Sequence, residues 1–170
     1  ALRHFAGSAL PDLYGAFTNT FSYKGIELGF TFTYQIGGKT YDSNYVSLMH
    51  SGTPGTALST DILNRWQKPG DITNVPRLDN TQINVFGASS DRWLVDSDYL
   101  ALRQISLAYS LPSIINQKLG IHSSKVYVNG ENLFLSNKRQ GMESGQSFNG
   151  TTSNRFTPSR LISLGFKLTF

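Results

Sequence analysis

Ile162-Ser163-Leu164-Gly165-Phe166-Lys167-Leu168-Thr169-Phe170 is the stretch that decides the fold. Ile162, Leu164, Phe166, Leu168 and Phe170 share one side of an extended chain, and Ser163, Gly165, Lys167 and Thr169 share the other. Side chains alternate with period 2 along a strand, so this segment is apolar on one face only. It also runs to an aromatic residue at its very end. The last residues of a water-exposed strand fray. A strand zipped into a closed barrel, with one face against lipid, has no such problem.

The same alternation recurs upstream. Positions 26–36 put Ile26, Leu28, Phe30, Phe32, Tyr34 and Ile36 against Glu27, Gly29, Thr31, Thr33 and Gln35. That dyad pattern lasts for about the 9–11 residues of a tilted membrane strand, where strands in soluble proteins average about 5–6. Positions 14–23 place Phe17, Phe21 and Tyr23 on one face, with Asn19 spoiling it, and Lys24-Gly25 predicts a tight turn into the next strand. Positions 99–111 set Ile105, Leu107, Tyr109 and Leu111 against Gln104, Ser106, Ala108 and Ser110, and Pro112 ends the run. Positions 125–135 set Val126, Val128, Gly130 and Phe134 against Tyr127, Asn129 and Glu131, with Asn132 a second blemish on the apolar side. The last strand starts near Arg160. The expected fold is all-β, with antiparallel up-and-down strands.

The connections alternate in length. Lys24-Gly25 and 112–124 are short, whereas 38–98 and 136–158 are long and polar. A short helix is predicted over 60–67, capped by Ser59 or Thr60 and stopped by Pro69-Gly70, and one helical turn over 114–119. Long loops at one end and short ones at the other are the pattern of bacterial outer-membrane barrels, which places 38–98 and 136–158 outside the cell. Tyr23, Tyr109, Tyr127 and Phe170 then fall at one level and Tyr34, Tyr99 and Phe134 at the other, as aromatic girdles do. Glu27, Gln35, Arg103, Asn129, Glu131 and Lys167 are expected to face the lumen.

Composition agrees. The 170 residues include 16 Gly, 8 Tyr, 11 Phe and no Cys, with only 15% charged. Mean hydropathy is −0.24, and no apolar run approaches the roughly 20 residues of a spanning helix. The net charge of +4 is scattered rather than gathered into a stripe, so nucleic acid is not an expected partner. Absence of Cys excludes disulfides, thiol catalysis and Cys-zinc sites. The start, Ala1-Leu2-Arg3-His4-Phe5-Ala6, carries no export signal, as in a mature exported chain or a piece that begins mid-protein. Membrane barrels need at least about eight strands. Five strands therefore imply either partner chains or, preferably, the C-terminal piece of a longer protein.

Ordered motifs carry a resemblance. Pro11-Asp12-Leu13-Tyr14-Gly15, Asn19-Thr20-Phe21-Ser22-Tyr23-Lys24-Gly25, Arg65-Trp66, Pro69-Gly70-Asp71 and Val75-Pro76-Arg77 come first. Ser90-Asp91-Arg92-Trp93-Leu94, Asp98-Tyr99-Leu100-Ala101-Leu102-Arg103, Ile105-Ser106-Leu107-Ala108-Tyr109, Leu111-Pro112, Val126-Tyr127-Val128, Asn132-Leu133-Phe134 and Phe170 follow. In this order they resemble the C-terminal end of the SusC/RagA family of TonB-dependent outer-membrane transporters. Residues 1–170 would then be the last five strands of a barrel of about 22 strands, with the plug domain absent. The resemblance implies import of oligosaccharide or peptide cargo, a SusD-like surface lipoprotein as lid, the TonB complex acting through the missing plug, and contact with outer-membrane lipid. Ser163, Gly165, Leu168 and Phe170 resemble the signal read by the barrel-assembly machinery.

The site residues are weighed against plainer roles. Trp66 and Trp93 in the first long loop are candidate ligand or lid contacts; anchoring that loop is the plainer role and the preferred one. Asp91, Asp96 and Asp98 suggest calcium but match no calcium loop, and a solvated loop end suits them better. His4, His50 and His122 have no metal-ligand spacing. Asn149-Gly150-Thr151 reads as a turn before it reads as a glycosylation site. No metal, cofactor or catalytic constellation is expected, so the chain is not read as an enzyme. The alternative from another class is a soluble β-sandwich that binds carbohydrate through Trp66 and Trp93.

Overall fold

The computed structural model describes residues 4–79, 81, 88–139, 142, 145, 149–152 and 158–170. Five long strands form one antiparallel sheet: β1 (Leu13–Tyr23), β2 (Ile26–Ile36), β5 (Tyr99–Ser110), β6 (Ser123–Asn137) and β7 (Leu161–Thr169), in the order β1-β2-β5-β6-β7. Two three-residue strands, β3 (Lys39–Tyr41) and β4 (Leu94–Asp96), pair inside the first long loop. Helix α1 (Ser43–Leu48) lies in that loop and α2 (Ser113–Lys118) between β5 and β6. No helix among the described residues is long and apolar enough to cross a membrane.

Register shows why the sequence folds this way. Phe17 lies opposite Phe32, Phe21 opposite Leu28 and Tyr23 opposite Ile26. Ile26 lies opposite Tyr109, Leu28 opposite Leu107 and Phe30 opposite Ile105. Val126 lies opposite Phe166 and Val128 opposite Leu164. Apolar positions of one strand thus mostly meet apolar positions of the next, so no strand can slip by one residue without exchanging its faces. Phe30 gathers Phe17, Phe21 and Phe32 at ring distances of 6.0, 6.1 and 5.8 Å. Asn19 sits directly opposite Phe30 and is half-buried, which is how a polar residue is tolerated on the apolar face.

Burial is inverted relative to a sheet in water. Gln35, Ala101 and Ala108 on the polar face are buried, whereas Ile162 and Leu164 on the apolar face are 73% and 75% exposed. A contiguous apolar surface left bare marks contact with lipid or another protein. A soluble β-sandwich would need a second sheet over it, and the described residues supply only the β3–β4 pair.

The short-turn end is tightly built. Lys24 and Gly25 take φ of 46° and 84°, the left-handed pair that a two-residue hairpin requires. Ser110 donates its backbone N–H to Gly25 O at 2.8 Å, tying the turn to β5. Asn116 of α2 is buried; its Nδ2 donates to Leu111 O at 3.2 Å and its Oδ1 accepts from Ser124 Oγ at 2.5 Å. One side chain therefore closes the link from β5 to β6.

Several expectations need correction. The predicted helix over 60–67 is a shorter 3-10 helix, Thr60–Asn64. Tyr99 and Tyr127 lie on the polar face, opposite Gln35 and Ala108 respectively, so neither belongs to a lipid-side girdle. Tyr23, Tyr34, Tyr109 and Phe134 do lie on the apolar face. Asn132 is not an apolar-face residue but part of a bulge, at φ 52°. A second bulge falls at Arg103 of β5. Leu133 folds back over Gly130, where a Cβ would come within 2.7 Å of its Cδ1.

Candidate functional site

The chemistry available to this chain is on the polar face of the sheet and in the long loops above it. On the polar face, Lys125 Nζ lies 3.1 Å from Glu27 Oε2, bridging β6 to β2 across β5, where the small Ala108 intervenes. Arg103 projects from its bulge to the same face. Its Nε donates to Thr33 Oγ1 at 3.1 Å and its guanidinium lies 5.8 Å from the Tyr99 ring centre. Glu27 and Gln35 thus fall where the dyad pattern put them, and Arg103, which strict alternation with Ile105 would put on the apolar side, reaches the polar face through its bulge. Asn129, Glu131 and Lys167 also take polar-face register, opposite Ser106, Gln104 and Lys125. Tyr127 fills the space above Gly165, and Tyr34 fills that above Gly15 on the opposite face.

A neck joins the sheet to the first long loop. Gln35, 3% exposed, donates Nε2 to Ser97 O at 3.2 Å and to Ser97 Oγ at 3.0 Å. Ser97 Oγ donates to Gly37 O at 3.2 Å, and Gly37 N–H donates to Asp98 Oδ1 at 2.6 Å. Entry and exit of a loop of about 60 residues are thereby pinned together, which removes the entropy of bringing its ends into contact. A shallow cleft of about 270 Å³ opens beside the neck, lined by Asp12, Lys39, Asp96 and Asp98 among others.

Beyond the neck the loop has its own core. Met49, Ile62, Val75 and Trp93 are buried together, with Tyr41, Tyr45, Val46 and Leu58 packed around them. Trp93 is 2% exposed and donates Nε1–H to Ala88 O at 3.1 Å. It is an anchor of the loop and offers no open face to a ligand, which corrects its candidacy as a contact residue. Trp66 is half-buried, and its backbone N–H is held by Val75 O at 2.8 Å. Tyr45 meets Trp93 edge-on at 5.8 Å and donates its hydroxyl to Asp61 Oδ2 at 2.6 Å. Burial raises the Tyr45 phenol above its ordinary range, and the Asp61 carboxylate pushes the same way.

The second long loop lies on the first. Arg139 Nε is 2.9 Å from Asp42 Oδ2 and its guanidinium sits 3.9 Å over the Tyr45 ring. Tyr41 and Thr151 form a parallel bridge, with Tyr41 N–H donating to Gly150 O at 2.7 Å and Thr152 N–H to Tyr41 O at 2.9 Å. Residues 140–141, 143–144, 146–148 and 153–157 of this loop lie outside the described ones. Sequence reasoning missed Asp42, Tyr45 and Arg139. Only the Asp-Ser-Asn start of α1, a capping signal, hinted at Asp42.

The remaining candidates disperse. Asp91 faces His4 at 3.6 Å, Asp96 pairs with Lys39 at 3.3 Å, and Asp98 is taken up by Gly37. Among the described residues no group of three His, Asp or Glu gathers as metal ligands do. His50 accepts from Gly52 and Thr53 N–H, each at 3.1 Å, stiffening its turn. Asn149 Oδ1 accepts Thr151 N–H at 3.2 Å, which makes that motif a turn. On β7, Ser163 faces Asn129, Gly165 faces Tyr127 and Leu168 faces Ser124. Phe170 lies just past the strand and is 90% exposed.

Comparison with known proteins agrees with this geometry. The chain is 26% identical over 153 residues to TonB-dependent receptor P3 of Formosa agariphila, covering 90% of this chain and 15% of that protein. It is 28% identical over 141 residues to TonB-dependent receptor P39 of the same organism, covering 82% and 14%. Among solved structures it matches a chain of the RagAB peptide importer in the "closed-closed" state, with a TM-score of 0.81 at 24% identity, over 98% of this chain and 18% of that one. No family model matches. The chain therefore spans about one-sixth of the length of these relatives. The sheet is a segment of a β-barrel of that kind, and the resemblance read from the motifs is borne out.

Proposed function

We propose that this chain is the C-terminal part of the barrel of a TonB-dependent outer-membrane importer of the SusC/RagA kind, which takes up oligosaccharides or peptides. One observation carries the reading: a sheet of membrane-length strands whose apolar face is left bare, in a chain similar over most of its length to TonB-dependent receptors. The outer edges of β1 and β7 have no partner strand among the described residues. Unpaired backbone amides cost several kcal/mol each in lipid, so the remaining strands of a longer chain would close the ring.

The parts divide the labour by chemistry. The apolar face meets lipid and the Glu27–Lys125 and Arg103–Tyr99 face lines the lumen beside plug or cargo. The loop layer forms the outer rim, on which a SusD-like lipoprotein lid would close. The plug and its contact with the TonB complex belong to the rest of the protein, so these residues would not transport alone. Phe170 would present the strand end to the barrel-assembly machinery.

The first test is the size of the native polypeptide in outer-membrane extracts, detected with an antibody against residues 38–98. A band several times larger than 18.8 kDa is expected. A band at 18.8 kDa would overturn the reading, because five strands alone form no plugged barrel.

A further inference from the structure

The two long loops are far apart in sequence yet converge on one residue pair. Asp42 caps α1 by accepting Tyr45 N–H at 3.0 Å, and its side chain is only 7% exposed. A carboxylate this buried must be matched by an opposite charge or it destabilises whatever holds it. The matching charge comes from Arg139 of the other loop, at 2.9 Å, and the same guanidinium covers the Tyr45 ring at 3.9 Å. Tyr45 passes the contact on through its hydroxyl to Asp61 and its ring edge to Trp93, the centre of the first loop's core. Around Arg139 the second loop is otherwise tied down by Met142 N–H donating to Arg139 O at 3.1 Å and by the Tyr41–Thr151 bridge.

We propose that Arg139 is a latch that joins the two long loops into one cooperative body, so that they loosen together or not at all. A single side chain neutralises the buried carboxylate that starts α1 and stacks on the aromatic hub of the loop core. Removing it leaves the Asp42 carboxylate without its matching charge and the loops joined through the backbone bridge at Tyr41 and 150–152. The inference goes beyond the transport reading and stands on the folded loops alone.

Hydrogen exchange on the full-length protein in detergent tests it, comparing wild type with Arg139→Ala and Arg139→Lys. Arg139→Ala is expected to raise exchange roughly tenfold at both 41–49 and 149–152, with β2 and β5 unchanged. Arg139→Lys keeps the charge but loses the planar stacking, and is expected to give a smaller rise at both segments. The chain has no Cys, so a Tyr41→Cys/Thr151→Cys disulfide added to Arg139→Ala should return both segments toward wild type. A rise confined to 149–152, or no rise at either segment, would overturn the latch. Heat-modifiable migration on gels establishes that each variant barrel is folded. Should Arg139→Ala fail that check, Arg139→Lys alone decides by the same two-segment criterion.

Discussion

The ring of Tyr127 occupies the space that a side chain would need at Gly165, its direct cross-strand partner on β7. A Cβ built at Gly165 would lie 2.5 Å from the ring's Cζ. The two residues form a fitted pair on the polar face, with the aromatic ring supplying the packing that glycine lacks. Gly165→Leu should therefore destabilise the joint between β6 and β7 by about 1–3 kcal/mol through overpacking. The measurement is the urea midpoint of the full-length barrel in detergent. Tyr127→Ala in the same background should recover part of the loss; an unchanged midpoint in Gly165→Leu would show that the ring moves aside freely.

Trp93 and Trp66 should part company under mutation. Trp93→Ala empties the centre of the loop core, and truncating a buried Trp costs about 3–5 kcal/mol, more than a small loop core is expected to spare. Protease cutting within 38–98 should rise sharply, while the heat-modifiable barrel stays intact. Trp66→Ala, at a half-buried position, should cut more slowly than Trp93→Ala. Equal resistance in Trp93→Ala and wild type would remove Trp93 from its anchoring role.

The loop should also weaken in alkali. Burial and the neighbouring Asp61 carboxylate hold the Tyr45 phenol above its ordinary value of 10. Above pH 10 the unfolded loop has lost that proton while the folded loop still binds it, so stability falls as pH rises. Below pH 10 both states are protonated and the contribution is complete. Digestion by an alkali-tolerant protease should accelerate between pH 9 and 11 in wild type and less steeply in Tyr45→Phe. Matching pH profiles in the two proteins would rule out Tyr45 as the source.

Deleting Phe170 from the full-length protein should lower its level in the outer membrane, read by blotting of separated membranes. The residue is 90% exposed and packs against little, so lost packing is not the expected cause. A drop would point to recognition during assembly, and an unchanged level would leave Phe170 as a residue of the lipid interface.

What the sequence made legible was governed by period 2. Positions 26–36 run as an unbroken dyad and became β2 with the same bounds. Tyr127 was misplaced because aromatic type was read as a girdle while alternation assigns it to the polar face, and Tyr99 because the bulge at Arg103 moves it off the apolar face that strict alternation gives it. Asn19 and Asn132 looked alike as blemishes, but one is shielded by Phe30 and the other turns a bulge; only backbone angles separate them. β3 and β4 are three residues each, too short to show any period. The Arg139–Asp42–Tyr45 cluster joins positions about a hundred residues apart, and no local pattern announces such a contact.

The bulges at Arg103 and Asn132 set the rules for length change in this wall. Between the pairs Thr31–Gln104 and Phe32–Leu102, β5 holds one residue more than β2, and between Gln104–Glu131 and Leu102–Phe134, β6 holds one more than β5. Each surplus is absorbed where it arises, so lipid-side residues beyond it keep their side. Losing Asn132 would straighten the β5–β6 ladder, whereas losing Arg103 would straighten β2–β5 and leave β6 two residues in surplus. Losing Ser106 or Val128 would turn every position between it and the bulge inside out. Tolerance to single-codon deletions along these strands should therefore be concentrated at the β6 bulge.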